Sequence, residues 1–150
     1  MPEYFVVRGT VEPGDKRGRE LGFPTANIAL RDQDGSLGDG VWAGWVRRAD
    51  GTHVPAAISV GRRPTYYGAD GYRLLEAHLL DFTGDLYEET LTVWLGTHLR
   101  AQEKYASAED LITALKNDIA AATQWTADHP AASLPDPGES PLGEVRRVAG

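Results

Sequence analysis

The feature that most constrains this chain is a change of hydrophobic period near residue 107. Before it, apolar residues come in short runs rich in β-branched and aromatic side chains, separated by turn residues; after it, they recur every three to four positions. Tyr4 to Val11, Thr25 to Leu30, Val41 to Arg48, Val54 to Val60, Leu74 to Phe82 and Leu91 to Leu99 read as strands. Ala49-Asp50-Gly51-Thr52 joins the third run to the fourth as a hairpin turn. Ser107 then stands three residues before Asp110, a start at which a side chain caps free backbone N–H groups. Ile112, Leu115, Ile119 and Ala122 follow at helical spacing, which predicts a helix from Ser107 to about Trp125. Several short strands and then one helix predict a mainly β fold, a closed or nearly closed antiparallel barrel with the helix packed on it. Closure also removes exposed strand edges.

From Ala127 the composition shifts to Pro, Ala, Ser, Gly and acidic residues, and Pro130, Pro135, Pro137 and Pro141 interrupt any regular element. The expected division is therefore a barrel plus helix over 1–125 and a flexible tail over 126–150, with too little apolar surface to offset its ordering entropy. The chain has no cysteine, which excludes disulfides, thiolate metal sites and a cysteine nucleophile. No apolar run approaches the ~20 residues of a membrane helix, and Met-Pro-Glu-Tyr does not open a signal peptide. A cytoplasmic protein is expected. The net charge of −7 argues against broad contact with nucleic acid. Lys16, Arg17 and Arg19 nevertheless cluster in one Gly-rich stretch, a local positive patch that suits a small anion. A monomer is the default, since no exposed apolar seam is legible.

Three groups of residues can carry chemistry. Gly14, Gly18 and Gly22 recur every four residues among the three basic side chains, so backbone N–H groups can approach an anion closely. The stretch lacks the Gly-Lys-Ser/Thr ending of a Walker A loop, and its spacing alone more often describes a surface turn with solvated charges. In Pro24-Thr-Ala-Asn27, a strand starting at Thr25 projects Thr25 and Asn27 to one face. Their oxygens are hard donors suited to Mg²⁺, and the same residues also make ordinary turn caps. Glu76 interrupts the apolar run Leu74 to Leu80, where a carboxylate needs either a partner or a task. General base and rim ion pair are equal readings of Glu76 from the strand alone. His78 shares its face and reads as a packing or hydrogen-bonding histidine.

Taken together, Gly14-Asp-x-Arg-Gly-Arg-x-Leu-Gly-Phe-Pro-Thr-Ala-Asn27 resembles the riboflavin kinase family. The resemblance continues through Gly40-Val-Trp-Ala-Gly44, Ala57-Ile-Ser-Val-Gly-x-Arg-Pro-Thr65, Glu76-Ala-His-Leu-Leu-Asp-Phe82, Asp85-Leu-Tyr87, Leu99-Arg100, Lys104-Tyr105 and the helix through Asp118. It spans about Val6 to Ala122 and leaves the tail outside. It implies a six-stranded antiparallel Greek-key barrel with one C-terminal α-helix. It also implies transfer of the ATP γ-phosphate to the riboflavin 5′-hydroxyl, giving FMN and ADP, with Mg²⁺ as cofactor. By position, Gly14, Gly18, Arg19 and Gly22 would arch over the phosphates, Thr25 and Asn27 would bind Mg²⁺ with the nucleotide, and Glu76 would be the base. Leu79, Asp81 and Tyr87 fall where the family contacts ATP. Arg100, Glu103 and Tyr105 fall where it contacts flavin.

The chain departs from the family pattern in places. Glu88 follows Tyr87 where the family usually has Gly, so a positive φ there would strain it. Gln102 stands where the family usually has Glu, and Tyr105 replaces the more usual Phe. These changes admit a second reading, a flavin- or nucleotide-binding module with weak or lost kinase activity, acting as sensor or carrier. A third reading is a kinase for a riboflavin analogue. Many bacterial members carry the kinase as the second half of a chain that also makes FAD. This sequence starts directly at the kinase-like segment, so it is expected to make FMN and not FAD.

Overall fold

The computed structural model describes residues 3–12, 25–31, 37–63, 72–80, 82, 84, 86 and 88–149. Seven strands form one antiparallel sheet: β1 (Glu3–Thr10), β2 (Thr25–Leu30), β3 (Gly40–Arg47), β4 (His53–Arg63), β5 (Tyr72–Leu79), β6 (Thr90–Arg100) and β7 (Val145–Ala149), in the spatial order β2-β5-β4-β3-β6-β1-β7. One helix, α1 (Ala108–Asp128), lies against β3 and β4. The first six strands and the helix are those expected from the hydrophobic runs, displaced by a few residues at their ends. Strands β3, β4 and β5 follow one another, and β6 returns to lie beside β3, which is a Greek key. The β3–β4 turn is the expected one: Gly51 takes φ 90°, and Arg48 and Thr52 close the hairpin, the Arg48 N–H donating to the Thr52 carbonyl. Among the described residues no helix is long and apolar enough to cross a membrane.

The sheet curls around one apolar core. Alternate residues point inward: Ala26, Ile28 and Leu30 from β2, Ala56, Ile58 and Val60 from β4, Leu75, Ala77 and Leu79 from β5, Leu91, Val93 and Leu95 from β6. The outer face is apolar in two further places. Ala43, Ala57, Leu80 and Leu99 meet Ala122, Ile119 and Trp125 of α1. Gly96 leaves the room for this docking, since a Cβ there would sit 2.1 Å from the Trp125 ring. Ser107 caps α1 as its sequence spacing predicts, its side chain accepting from the Asp110 N–H.

The second outer patch corrects the expectation of a flexible tail and of six strands. Tyr4, Val6, Trp45 and Trp94 form an aromatic surface that is covered by Leu134 and Val148. The indole N–H of Trp45 donates to the His129 carbonyl, and that of Trp94 to the Pro135 carbonyl. Strand β7 then pairs with β1 from Glu3↔Ala149 to Val7↔Val145. The prolines that stop a helix here still accept hydrogen bonds, and the apolar surface that orders the stretch belongs mainly to the barrel. Gly143 completes the enclosure: its N–H donates to Arg8 of β1, and its carbonyl accepts from Arg31 just after β2. It does so at φ 84°, with Ala29 O 2.9 Å from where a Cβ would stand, so glycine is required. Glu12 and Asn27 also pair directly between β1 and β2.

Glu88 is the one non-glycine residue at positive φ among the described residues, at 67°. The family's glycine thus has a conformational reason, and Glu88 carries the strain. Glu88→Gly is expected to stabilise the fold by about 1 kcal/mol, raising Tm by roughly 2–4 °C. An unchanged or lower Tm in calorimetry would mean that the glutamate side chain recovers that energy elsewhere.

Candidate active site

Strand register assembles the candidate residues into one row across the outer face. Asn27 on β2 is the Cα partner of Glu76 on β5. Glu76 is the partner of Ser59 on β4, Ser59 of Val41 on β3, and Val41 of Arg100 on β6. Directly opposed residues on antiparallel strands have Cβ atoms about 4.5–5.5 Å apart. An amide, a carboxylate and a hydroxyl therefore stand side by side on three adjacent strands. In the neighbouring row, Thr25 opposes His78, and Thr25 Oγ1 lies 3.2 Å from His78 Nδ1. His78 is buried and hydrogen-bonded, as its sequence context predicts. Asn27 is also buried, and its carbonyl accepts from the Glu12 N–H at 2.8 Å, so β2 is held on both edges at this point.

Arg100 reaches this row only because β6 is irregular. The β3–β6 register shifts twice, between Ala43 and Gly44 and between Val41 and Trp42, skipping Gly96 and Leu99. Each bulge adds a residue, so the two together leave Arg100 on the outer face but bring it opposite Val41 instead of Asp39. Gly44 belongs to this distortion, since a Cβ there would lie 1.8 Å from the Trp94 carbonyl oxygen. Once outside, the Arg100 guanidinium makes a two-pronged contact with Asp118 of α1, with Nε and Nη2 each 2.8 Å from a carboxylate oxygen. That hydrogen bond is the largest cause holding Arg100 above its ordinary pKa, against the opposing effect of burial. The same guanidinium lies over the Tyr105 ring, 5.7 Å from its centroid. Burial pushes the Tyr105 phenol up, and its hydroxyl is shielded from water with no hydrogen-bond partner among the described residues. Glu103 is exposed beside it.

Thr25, Asn27, Glu76 and Arg100 thus come together on one face, with Tyr105 against Arg100. Leu79 does not join them: its odd position on β5 sends it into the core, where it is 2% exposed. Gly14, Gly18, Arg19, Gly22, Asp81 and Tyr87 lie outside the described residues. Two polar contributors, Asp118 and Ser59, escape the sequence reading, and a third, Gln102, is marked there only as a departure from the family pattern. Asp118 had a signal, an acid on the apolar stripe of a helix between Leu115 and Ala122. Ser59 had none, because a serine in a strand is unremarkable until its partners are known, and the departure at Gln102 did not reveal which groups it meets.

The donor set at Thr25 and Asn27 is chemically suited to Mg²⁺, with neutral oxygen ligands that leave coordination positions for phosphate and water. No group of three or more His, Cys, Asp or Glu side chains that could hold a metal alone exists among the described residues. A metal here would therefore need oxygens brought by its ligand.

Comparison with known proteins gives the same direction. The family model for riboflavin kinase (flavokinase) matches residues 1–126. The chain is 45% identical over 123 residues to a bifunctional riboflavin kinase/FMN adenylyltransferase of Pseudomonas fluorescens, covering 82% of this chain and 39% of that protein. It is 33% identical to a riboflavin kinase of Mus musculus, covering 77% of this chain and 76% of the relative. The crystal structure of riboflavin kinase from Trypanosoma brucei superposes with a TM-score of 0.60 at 23% identity, over 85% of this chain and 79% of that one, a likeness of fold. The chain spans about two fifths of the length of the bacterial relatives it matches.

Proposed function

Since this chain belongs to the riboflavin kinase family, we propose that it transfers the γ-phosphoryl group of ATP to the 5′-hydroxyl of riboflavin. The observation that carries this reading is the cross-strand row Asn27–Glu76–Ser59–Val41–Arg100. Neighbouring strands lie about 4.8 Å apart, so Glu76 and Arg100 are separated by three spacings, roughly 14 Å. A flavin whose ribityl chain runs along this row places its terminal hydroxyl at Glu76 and its ring toward Arg100 and Tyr105.

In the reaction the riboflavin 5′-oxygen forms a bond to the γ-phosphorus, the bond from that phosphorus to the β,γ-bridging oxygen breaks, and the hydroxyl proton passes to Glu76. FMN and ADP result. Thr25 and Asn27 would hold Mg²⁺, which when bound supplies neutralisation of the phosphate charge. By family resemblance Gly14, Gly18, Arg19 and Gly22 cradle the phosphates, and Asp81 and Tyr87 flank the nucleotide. The pairing of Asn27 with both Glu76 and Glu12 keeps the metal-binding face in register with the base. Arg100, fixed by Asp118, presents its planar face with Tyr105 to the flavin ring, and Glu103 borders that side.

Chromatography of purified protein with riboflavin, ATP and Mg²⁺ tests the reading, and appearance of FMN is the expected result. Riboflavin bound but never converted would instead favour a sensor or carrier. Asn27→Ala is expected to raise the Mg²⁺ concentration for half-maximal rate by about tenfold or more, the loss of one hydrogen-bond-strength contact to a charged group. An unchanged Mg²⁺ dependence would remove Asn27 from the metal site.

A further inference from the structure

Gln102 stands where the family pattern carries a carboxylate, and its side chain makes two carbonyl contacts that a carboxylate cannot reproduce. Its Nε2 donates to Ser59 Oγ at 2.7 Å and to the Val60 carbonyl at 2.9 Å, with the Gly40 carbonyl at 3.5 Å. Carbonyls only accept, and so does an ionised carboxylate. Gly61 leaves the space for this arrangement, since a Cβ there would lie 3.3 Å from Nε2.

Among the described residues the segment so held has no other tie of this kind. Residues 101–106 form no helix or strand between the end of β6 and the Ser107 cap, and all but Tyr105 are exposed. At its start Arg100 is fixed to α1 through Asp118. Among the described residues, Gln102 is the one side chain of 101–106 that hydrogen-bonds to the sheet, and one of its acceptors, Ser59, is the Cα partner of Glu76.

We propose that Gln102 is a positioning residue, an amide latch that ties the 101–105 segment to β3 and β4 and so sets Tyr105 and Glu103 against the Asn27–Glu76–Ser59 row. The inference rests on the flavin-side reading of that segment. It runs against the family pattern, because restoring glutamate at 102 removes every donor and sets a negative charge against the Val60 and Gly40 carbonyls.

The test titrates riboflavin and Mg·ATP separately into the wild type, Gln102→Glu and Gln102→Met, and follows amide hydrogen exchange over 101–106. Both variants are expected to bind riboflavin about tenfold more weakly, the worth of one to two net hydrogen bonds, with Mg·ATP affinity unchanged and exchange across 101–106 faster. Riboflavin affinity equal to or higher than wild type in Gln102→Glu would overturn the latch in favour of direct ligand contact by residue 102. Equal weakening of both ligands would also overturn it, as general destabilisation. A wild type that binds no riboflavin would overturn the flavin reading of the segment, and the exchange comparison alone would then decide the latch: faster exchange upholds it and unchanged exchange removes it.

Discussion

Glu76→Gln is expected to lower kcat for FMN formation by about 10²–10⁴-fold, the usual worth of a positioned general base. Riboflavin and Mg·ATP affinities should change little. The substitution keeps the shape of the side chain but removes the basicity that accepts the hydroxyl proton. Glu76 is only half-buried on β5, so the variant is expected to fold, and an unchanged Tm checks this. Phosphoryl transfer passes through a loose transition state in which the nucleophile is little bonded, which favours the lower end of the range. A kcat within a fewfold of wild type would remove Glu76 from the base role and leave the proton to depart late, to phosphate or solvent. A loss of riboflavin affinity equal to the loss of kcat would instead make Glu76 a binding group for the hydroxyl.

The second large effect concerns stability. Ending the chain after His129 removes Leu134 and Val148 from the aromatic face, the Pro135 carbonyl from Trp94, all of β7, and the Gly143 bridge between β1 and β2. Two partly buried aliphatic side chains and several hydrogen bonds together are worth on the order of 3 kcal/mol. For a chain of this size that lowers Tm by roughly 6–12 °C. Emission from Trp94 and Trp45 should shift to the red as their cover goes, and the bared edge of β1 should promote association. An unchanged Tm and unshifted emission would mean that the residues after His129 contribute nothing to the cooperative unit, as a flexible tail would. The family model ends at residue 126, before this stretch.

Local regularities were readable because they depend on neighbours in sequence. The six strands, the Ser107 cap and the α1 apolar stripe follow from period and propensity. The common face of Thr25 and Asn27 follows from strand alternation, and the same rule put Glu76 and His78 on one face. The strain at residue 88 was legible as a conditional, a glutamate where only a positive φ would explain glycine, and φ 67° met that condition.

The site as a unit was not readable in this way. Alternation alone cannot say that Arg100 stands opposite Val41, since two bulges, at Gly96 and Leu99, decide that register, and these answer to Trp125 and to the β3 backbone. Nor does spacing reveal that Asp118, eighteen residues on, receives the Arg100 guanidinium, or that the Gln102 amide finds carbonyls of β3 and β4. The C-terminal strand is the sharpest case. Val145–Ala149 is short and follows a proline-rich stretch, so nothing local favours order. Order comes from a tryptophan face and from the edge of β1 away from β6, which exist only once β3, β6 and β1 have paired. The sequence by itself determined which segments are strands, which is the helix, and which residue types could serve phosphate chemistry. The tertiary structure alone decided which of those residues meet, because pairing register, bulges and edge-filling are settled by buried groups that need partners far away along the chain.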